Sequence, residues 1–146
     1  MILRPADQRF HSQLNWLDSW NSFSFGSHQD PNWMGFGPLR VINDDTIAAG
    51  QGFGMHPHRD IEIITVKVEG VLTHADSIGN SAVLHAAEER WLWLQVIDGE
   101  LTLTSEGSPK QSLQRGDGVG LIQDAATQSE LIGLSERADV LLFALA

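Results

Sequence analysis

Short runs of β-branched, aromatic and leucine residues, cut at near-regular spacing by acid-glycine pairs, constrain this chain to antiparallel sheet. Residues 91–97 lead through Asp98-Gly99 into residues 100–104, which reads as a strand, a tight turn and a returning strand. Residues 61–68, Glu69-Gly70 and residues 71–74 have the same arrangement, so a second hairpin is expected there. Beyond a polar loop at 105–110 come residues 111–113, the turn signal Arg115-Gly116-Asp117-Gly118, and strand-like runs at 119–123, 128–132 and 140–145. An earlier hairpin is expected from residues 39–42 and 46–49, joined by a turn at Asn43-Asp44-Asp45. Residues 82–89 are rich enough in Ala and Glu to permit a helical turn, and their state is left open. Many short strands without alternating long helices predict an all-β sandwich or barrel rather than βαβ units.

A chain of 146 residues is long enough for one domain with a real core and cramped for two. Its apolar runs all fall short of the ~20 residues needed to span a bilayer, so no membrane association is expected. The start Met1-Ile2-Leu3-Arg4-Pro5-Ala6-Asp7 lacks the basic and apolar stretches of a secretory signal, which predicts a cytoplasmic protein. With no cysteine, the chain has no disulfide, thiolate ligand or cysteine nucleophile, and any metal must use His, carboxylate or water. A net charge of −10, with only 9 Lys and Arg, argues against direct nucleic-acid binding.

The first 37 residues carry Phe10, Trp16, Trp20, Phe23, Phe25, Trp33 and Phe36 among Ser, Asn, Gly and Asp-Pro turn material. The expectation is an irregular but well-anchored aromatic flap over the open end of a sheet domain, with a ligand lid as the alternative.

Chemistry concentrates at Gly50-Gln51-Gly52-Phe53-Gly54-Met55-His56-Pro57-His58-Arg59-Asp60-Ile61-Glu62. On a strand, His56 and His58 point to one side, because side chains alternate with a period of two, and Glu62 keeps their parity. Two imidazoles and a carboxylate suit a first-row metal such as iron, copper, nickel or manganese. The plainer reading of a His-x-His pair is a polar strand edge beside a loop. His74 is more readily a hydrogen-bonded strand histidine than a ligand, His85 has no distinctive context, and His11 and His28 fall in the aromatic flap, where a surface role is the default. The chain contains neither the Gly-x-Ser-x-Gly nucleophile elbow nor a phosphate-binding glycine loop followed by Lys.

Several stretches together resemble the N-terminal part of the pirin family: Trp16-Leu17-Asp18-Ser19-Trp20, Asp30-Pro31-Asn32, Leu39-Arg40-Val41-Ile42-Asn43-Asp44-Asp45, His56-Pro57-His58-Arg59-Asp60-Ile61-Glu62-Ile63 and His74-Ala75-Asp76-Ser77-Ile78-Gly79-Asn80. The glycine, His-x-His and Glu spacing also resembles the first cupin motif. The resemblance implies a single cupin barrel, a double-stranded β-helix or jelly roll. Pirins are two-cupin proteins whose N-terminal barrel holds a metal, usually iron. Some are quercetin 2,3-dioxygenases and others act as protein-level transcription cofactors. By this resemblance His56 and His58 are two of four ligands to a divalent first-row metal, iron foremost, and the other two come from a His-Ser-Glu sequence in the second motif.

Here the chain departs from the pattern. After Gly79-Asn80 the first cupin does not continue. Residues 88–99 and 140–143 instead resemble the C-terminal pirin domain, as though residues 1–80 and 88–146 were parts of two cupins fused into one. Counting from Gly116, the second-motif histidine falls on Thr127, and the nearest analogue of His-Ser-Glu is Gln128-Ser129-Glu130. The candidate metal set is therefore His56, His58, Glu62 and Glu130. The resemblance implies a metal-dependent dioxygenase with a small aromatic, quercetin-like substrate, or else a non-catalytic binding or regulatory module that meets a protein partner and keeps a degenerate site. A barrel fused in this way is also expected to expose apolar surface and to pair as a homodimer.

Overall fold

The computed structural model describes residues 1–54, 60–66, 68–70, 91–105, 107–122, 129–135 and 137–145. Ten strands run through them: β1 (Ile2–Arg4), β2 (Phe10–Gln13), β3 (Leu17–Asn21), β4 (Asn43–Ile47), β5 (Trp91–Asp98), β6 (Glu100–Ser105), β7 (Gln111–Gln114), β8 (Gly118–Ile122), β9 (Ser129–Gly133) and β10 (Asp139–Leu145). The only helical turns among the described residues are 3₁₀ turns at Ala6–Gln8 and Pro31–Trp33. All pairing is antiparallel, in three sheets ordered β1-β8-β5-β10, β2-β3-β4 and β7-β6-β9.

The central strand is β5, and its period-two alternation builds a core on each of its faces. Leu94 and Val96 point to one side, where they pack with Leu101 and Leu103 of β6, Leu113 of β7, and Val119 and Leu121 of β8. This is the main core, held between the four-stranded sheet and the β7-β6-β9 sheet. Trp91 and Trp93 point to the other side, where Trp93 is buried with Phe23 and Phe36 from the N-terminal segment. Phe23 lies 4.8 Å from Trp93, and Phe36 lies 4.9 Å from Trp91 and 5.7 Å from Trp93, within the range of favourable tilted and edge-on ring pairs.

The neighbouring strand β8 provides the floor for these rings. A Cβ on Gly120 would sit 2.5 Å from the Phe36 ring, and one on Gly118 would collide with the Trp93 indole. Glycine is required at both places because aromatic rings occupy the side-chain space. Between these two glycines, Val119 faces the other way and is buried in the main core.

From residue 91 onward each expected run is a strand, with ends within one residue of expectation where a glycine or acid-glycine turn marks them. Three earlier expectations need correction. The N-terminal segment is more regular than an irregular flap: β1 joins the central sheet, and β2 and β3 form a hairpin. Asn43-Asp44-Asp45 is strand rather than turn, because it pairs with Asn21, Trp20 and Ser19 of β3 and Asn21 Nδ2 donates to Asn43 Oδ1 at 2.8 Å. Residues 39–42 lie outside any strand except for the isolated bridge of Leu39 to Phe36. Finally, residues 61–66 lie in no strand and are exposed throughout, although they are rich in β-branched residues as a strand should be. An extended run needs a neighbouring edge for its backbone groups, and no described strand supplies one. The expected returning strand at 71–74 lies outside the described residues, as do residues 82–89.

Candidate metal centre

The four candidate ligands stand at different levels of description. His56 and His58 lie outside the described residues, as do His74, His85 and Thr127. Glu62 is described, exposed and in no strand. Glu130 is placed by its backbone on β9, opposite Thr104 of β6. Among the described residues no group of three His, Asp or Glu side chains converges as a metal site would. The donor chemistry of the set, imidazole plus carboxylate in a chain without thiols, fits a first-row divalent ion.

The two flap histidines make local contacts. His11 Nε2 is 3.2 Å from Asp18 Oδ1 and its ring stacks on Trp20 at 4.1 Å, on the solvent face of the β2-β3-β4 sheet. His28 Nε2 is 2.8 Å from Ser12 Oγ, and its ring stacks on Phe10 at 5.3 Å. On that same hairpin Gln13 Nε2 donates to Asp18 Oδ2 at 3.3 Å. Each histidine thus faces one polar partner and one ring.

The stretch that carries the metal motif leaves the sheet through a defined path. Ala48 N donates to Trp16 O at 2.9 Å, Gln51 N donates to Ala48 O at 3.0 Å, and Phe53 meets Trp16 edge-on at 5.3 Å. The hairpin end Gln13 to Asp18, with Thr46 and Ala48, lines a shallow open cleft beside this path. Trp16 therefore fixes where the Gly-rich stretch begins.

Sequence reasoning passed over a set of buried polar groups that join the N-terminal segment to the central sheet. Gln95, in the middle of the apolar β5, donates through Nε2 to Gly116 O and Asp117 O at 3.0 and 3.1 Å, and accepts from Trp93 Nε1 and Ser22 Oγ. Asp117 accepts from Ala6 N at 2.8 Å and Gln114 N at 2.9 Å. Arg4 is only 3% exposed: its Nε donates to Ser22 O at 3.0 Å and its guanidinium lies 4.2 Å from the Trp33 ring and 4.9 Å from Phe10. Desolvation lowers its pKa, Asp30 works against that shift, and Arg9 adds to it. The one signal in sequence was a lone glutamine within an otherwise apolar strand.

Comparison with known proteins adds the family. The pirin family model matches residues 4–102, and the model of the quercetinase C-terminal cupin domain matches residues 71–145. The chain belongs to the pirin family. Its all-β architecture, with two sheets facing across the main core, is that of a pirin cupin barrel. Quercetin 2,3-dioxygenase of Escherichia coli K12 is 57% identical over 88 residues, which cover 60% of this chain and 38% of that protein. A putative quercetin 2,3-dioxygenase of Pseudomonas aeruginosa is 49% identical over 85 residues, covering 58% of this chain and 37% of that one. Among solved structures, the bacterial pirin YhhW from Escherichia coli in complex with nickel(II) aligns over 99% of this chain and 58% of its own, at 26% identity and a TM-score of 0.39. This pirin thus spans well under half the length of the curated relatives named here.

Proposed function

We propose that this protein is a pirin-type cupin metalloprotein that binds a divalent first-row metal, iron foremost, and acts as a non-haem dioxygenase on a small aromatic of the quercetin class. The observation that carries this reading is the 57% identity to a quercetin 2,3-dioxygenase, together with the intact His56-Pro57-His58 inside the matched pirin region. In this reading His56 and His58 hold the ion, and Glu62 or Glu130 completes a facial set of two imidazoles and one carboxylate. The metal supplies Lewis acidity and open positions for oxygen and substrate. The chain's own part is to supply the two imidazoles and one carboxylate. We assign the protein to the cytoplasm.

A second reading rests on a specific departure: Thr127 stands where the second cupin motif has its histidine, and Gln128 is a poor ligand. On that ground the protein is a binding or regulatory module that meets a protein partner through a cupin surface and no longer turns over substrate.

Elemental analysis of untagged protein, purified beside His56→Ala, discriminates between them. The metalloprotein reading expects close to one metal ion per chain, lost in the variant, with quercetin-dependent oxygen uptake that falls with it. Trace metal unchanged by the substitution would leave only the second reading.

A further inference from the structure

We infer that the cleft between the outer edges of β1 and β7 is a binding site for a small molecule with an apolar body and a protonated amine. The inference stands apart from the proposed activity, because it uses neither the candidate metal ligands nor their substrate.

The cleft exists because two sheets end beside each other. Among the described strands, β1 is the last of the central sheet and β7 is the last of the β7-β6-β9 sheet, and the main core lies between those sheets. At this opening is a cavity of about 320 Å³, within the range of small-ligand pockets and with room for on the order of ten waters. Leu3, Leu113 and Leu134 supply its apolar wall. Leu113 belongs to the main core, Leu3 packs against that core, and Leu134, just beyond β9, is 58% exposed.

The polar side of the cleft accepts hydrogen bonds and has few donors to give. Pro5 has no N–H. The backbone N–H groups of Ala6 and Gln114 are both taken by Asp117, one on each carboxylate oxygen, at 2.8 and 2.9 Å. A carboxylate keeps acceptor capacity after two such bonds. Asp117 is only 6% exposed, yet no described Lys, Arg or His forms an ion pair with it. Arg9 lies against the adjacent Gly116, but its ion pair is with Asp44 at 3.4 Å. On the rim is Glu100, exposed at the start of β6 and in no ion pair among the described residues. No Lys, Arg or His is among the described residues that line the cleft.

Two carboxylates without a countercharge, set beside leucine side chains, select a cation that can donate hydrogen bonds and also bury carbon. A bare metal ion would gain nothing from the leucine wall. An added peptide strand fits less well, because the N–H groups it would pair with at Ala6 and Gln114 are already bound to Asp117. An alkylammonium, charged at neutral pH as lysine is, meets both requirements.

The test is nuclear magnetic resonance titration of the full chain, with isotope-labelled leucine methyl groups, by n-hexylammonium, n-hexanol and n-hexanoate at matched ionic strength. The ammonium is expected to give saturable shifts at Leu3, Leu113 and Leu134 and none at Leu142, the exposed leucine of β10. Hexanol, with the same body and no charge, is expected to bind at least about tenfold more weakly, and hexanoate not at all. Leu134→Lys, at an exposed position outside any strand, is expected to weaken the ammonium at least about tenfold, because it removes an apolar wall and brings a competing cation to the rim. Equal binding of hexanol and hexylammonium, shifts as large at Leu142 as at the three lining leucines, or an unchanged affinity in Leu134→Lys would each overturn the inference.

Discussion

Asp45 sits on β4 opposite Ser19 of β3, on the side of the small sheet that carries the buried Ser19 and Asn21. Desolvation raises its carboxyl above the usual aspartate range, a hydrogen bond from Ser19 pulls it back, and neighbouring Asp44 raises it further. A carboxyl whose folded pKa is raised binds its proton more tightly in the native state. Its favourable contribution is therefore complete below the unfolded value of about 3.9 and is lost as pH rises through the folded value. Asp45→Asn removes the charge and is expected to raise the melting temperature at pH 7 while changing little near pH 3. The gain should be only a few tenths of a kcal/mol, since the side chain keeps contact with solvent. Thermal unfolding of both proteins at the two pH values checks this, and a difference of the same size at both would contradict it. At Gly120 the argument is steric. Gly120→Ala places a methyl 2.5 Å from the Phe36 ring, an overpacking expected to cost about 1–3 kcal/mol in urea unfolding. A variant as stable as the parent would mean that Phe36 is not seated on β8.

Among the elements, β5 has the largest share in the fold because both of its faces are covered. Trp93 is fully buried between Phe23 and Phe36, so Trp93→Ala is expected to cost about 3–5 kcal/mol, whereas Leu142→Ala on the exposed part of β10 should cost far less. Denaturant unfolding of the pair checks the contrast, and equal losses would contradict the two-faced role of β5. The same strand explains what could be read from sequence. Asp98-Gly99 and the alternation of Trp and Leu are local signals, and they locate β5 and β6 to within a residue. Residues 61–66 are rich in β-branched residues and still form no strand, because pairing depends on a partner edge that local sequence does not encode. Asn43-Asp44-Asp45 has turn chemistry and is strand for the converse reason, since β3 offers partners for its polar side chains. Spacing and residue type were enough to recognise the family, while His56 and His58 stand as proposed ligands outside the described residues. Convergence of a carboxylate on two histidines is a tertiary property, which a one-dimensional parity argument does not reach.

At the scale of the whole molecule, charge and apolar exposure act against each other. Ile63, Ile64 and Val68 in the stretch after the metal motif, Ile122 and Leu142 on the central sheet, and Leu134 just beyond β9 are each more than half exposed, which is surface suited to pairing with a second copy. Each copy also carries a formal charge of −10, so two copies repel at long range. The repulsion falls off over about 10 Å at 0.1 M salt and about 3 Å at 1 M, while the burial of apolar surface is not weakened by added salt. Self-association should therefore be stronger in high salt, opposite to an interface held by ion pairs. Sedimentation equilibrium across that salt range is expected to move the protein from mainly monomer toward dimer. Replacing Ile63 and Ile64 with threonine should reduce dimer at high salt if the run 61–66 forms the interface, and Leu142→Thr should do so if β10 does. A protein that stays monomeric at every salt concentration, or that dissociates as salt rises, would show that apolar pairing does not drive its assembly.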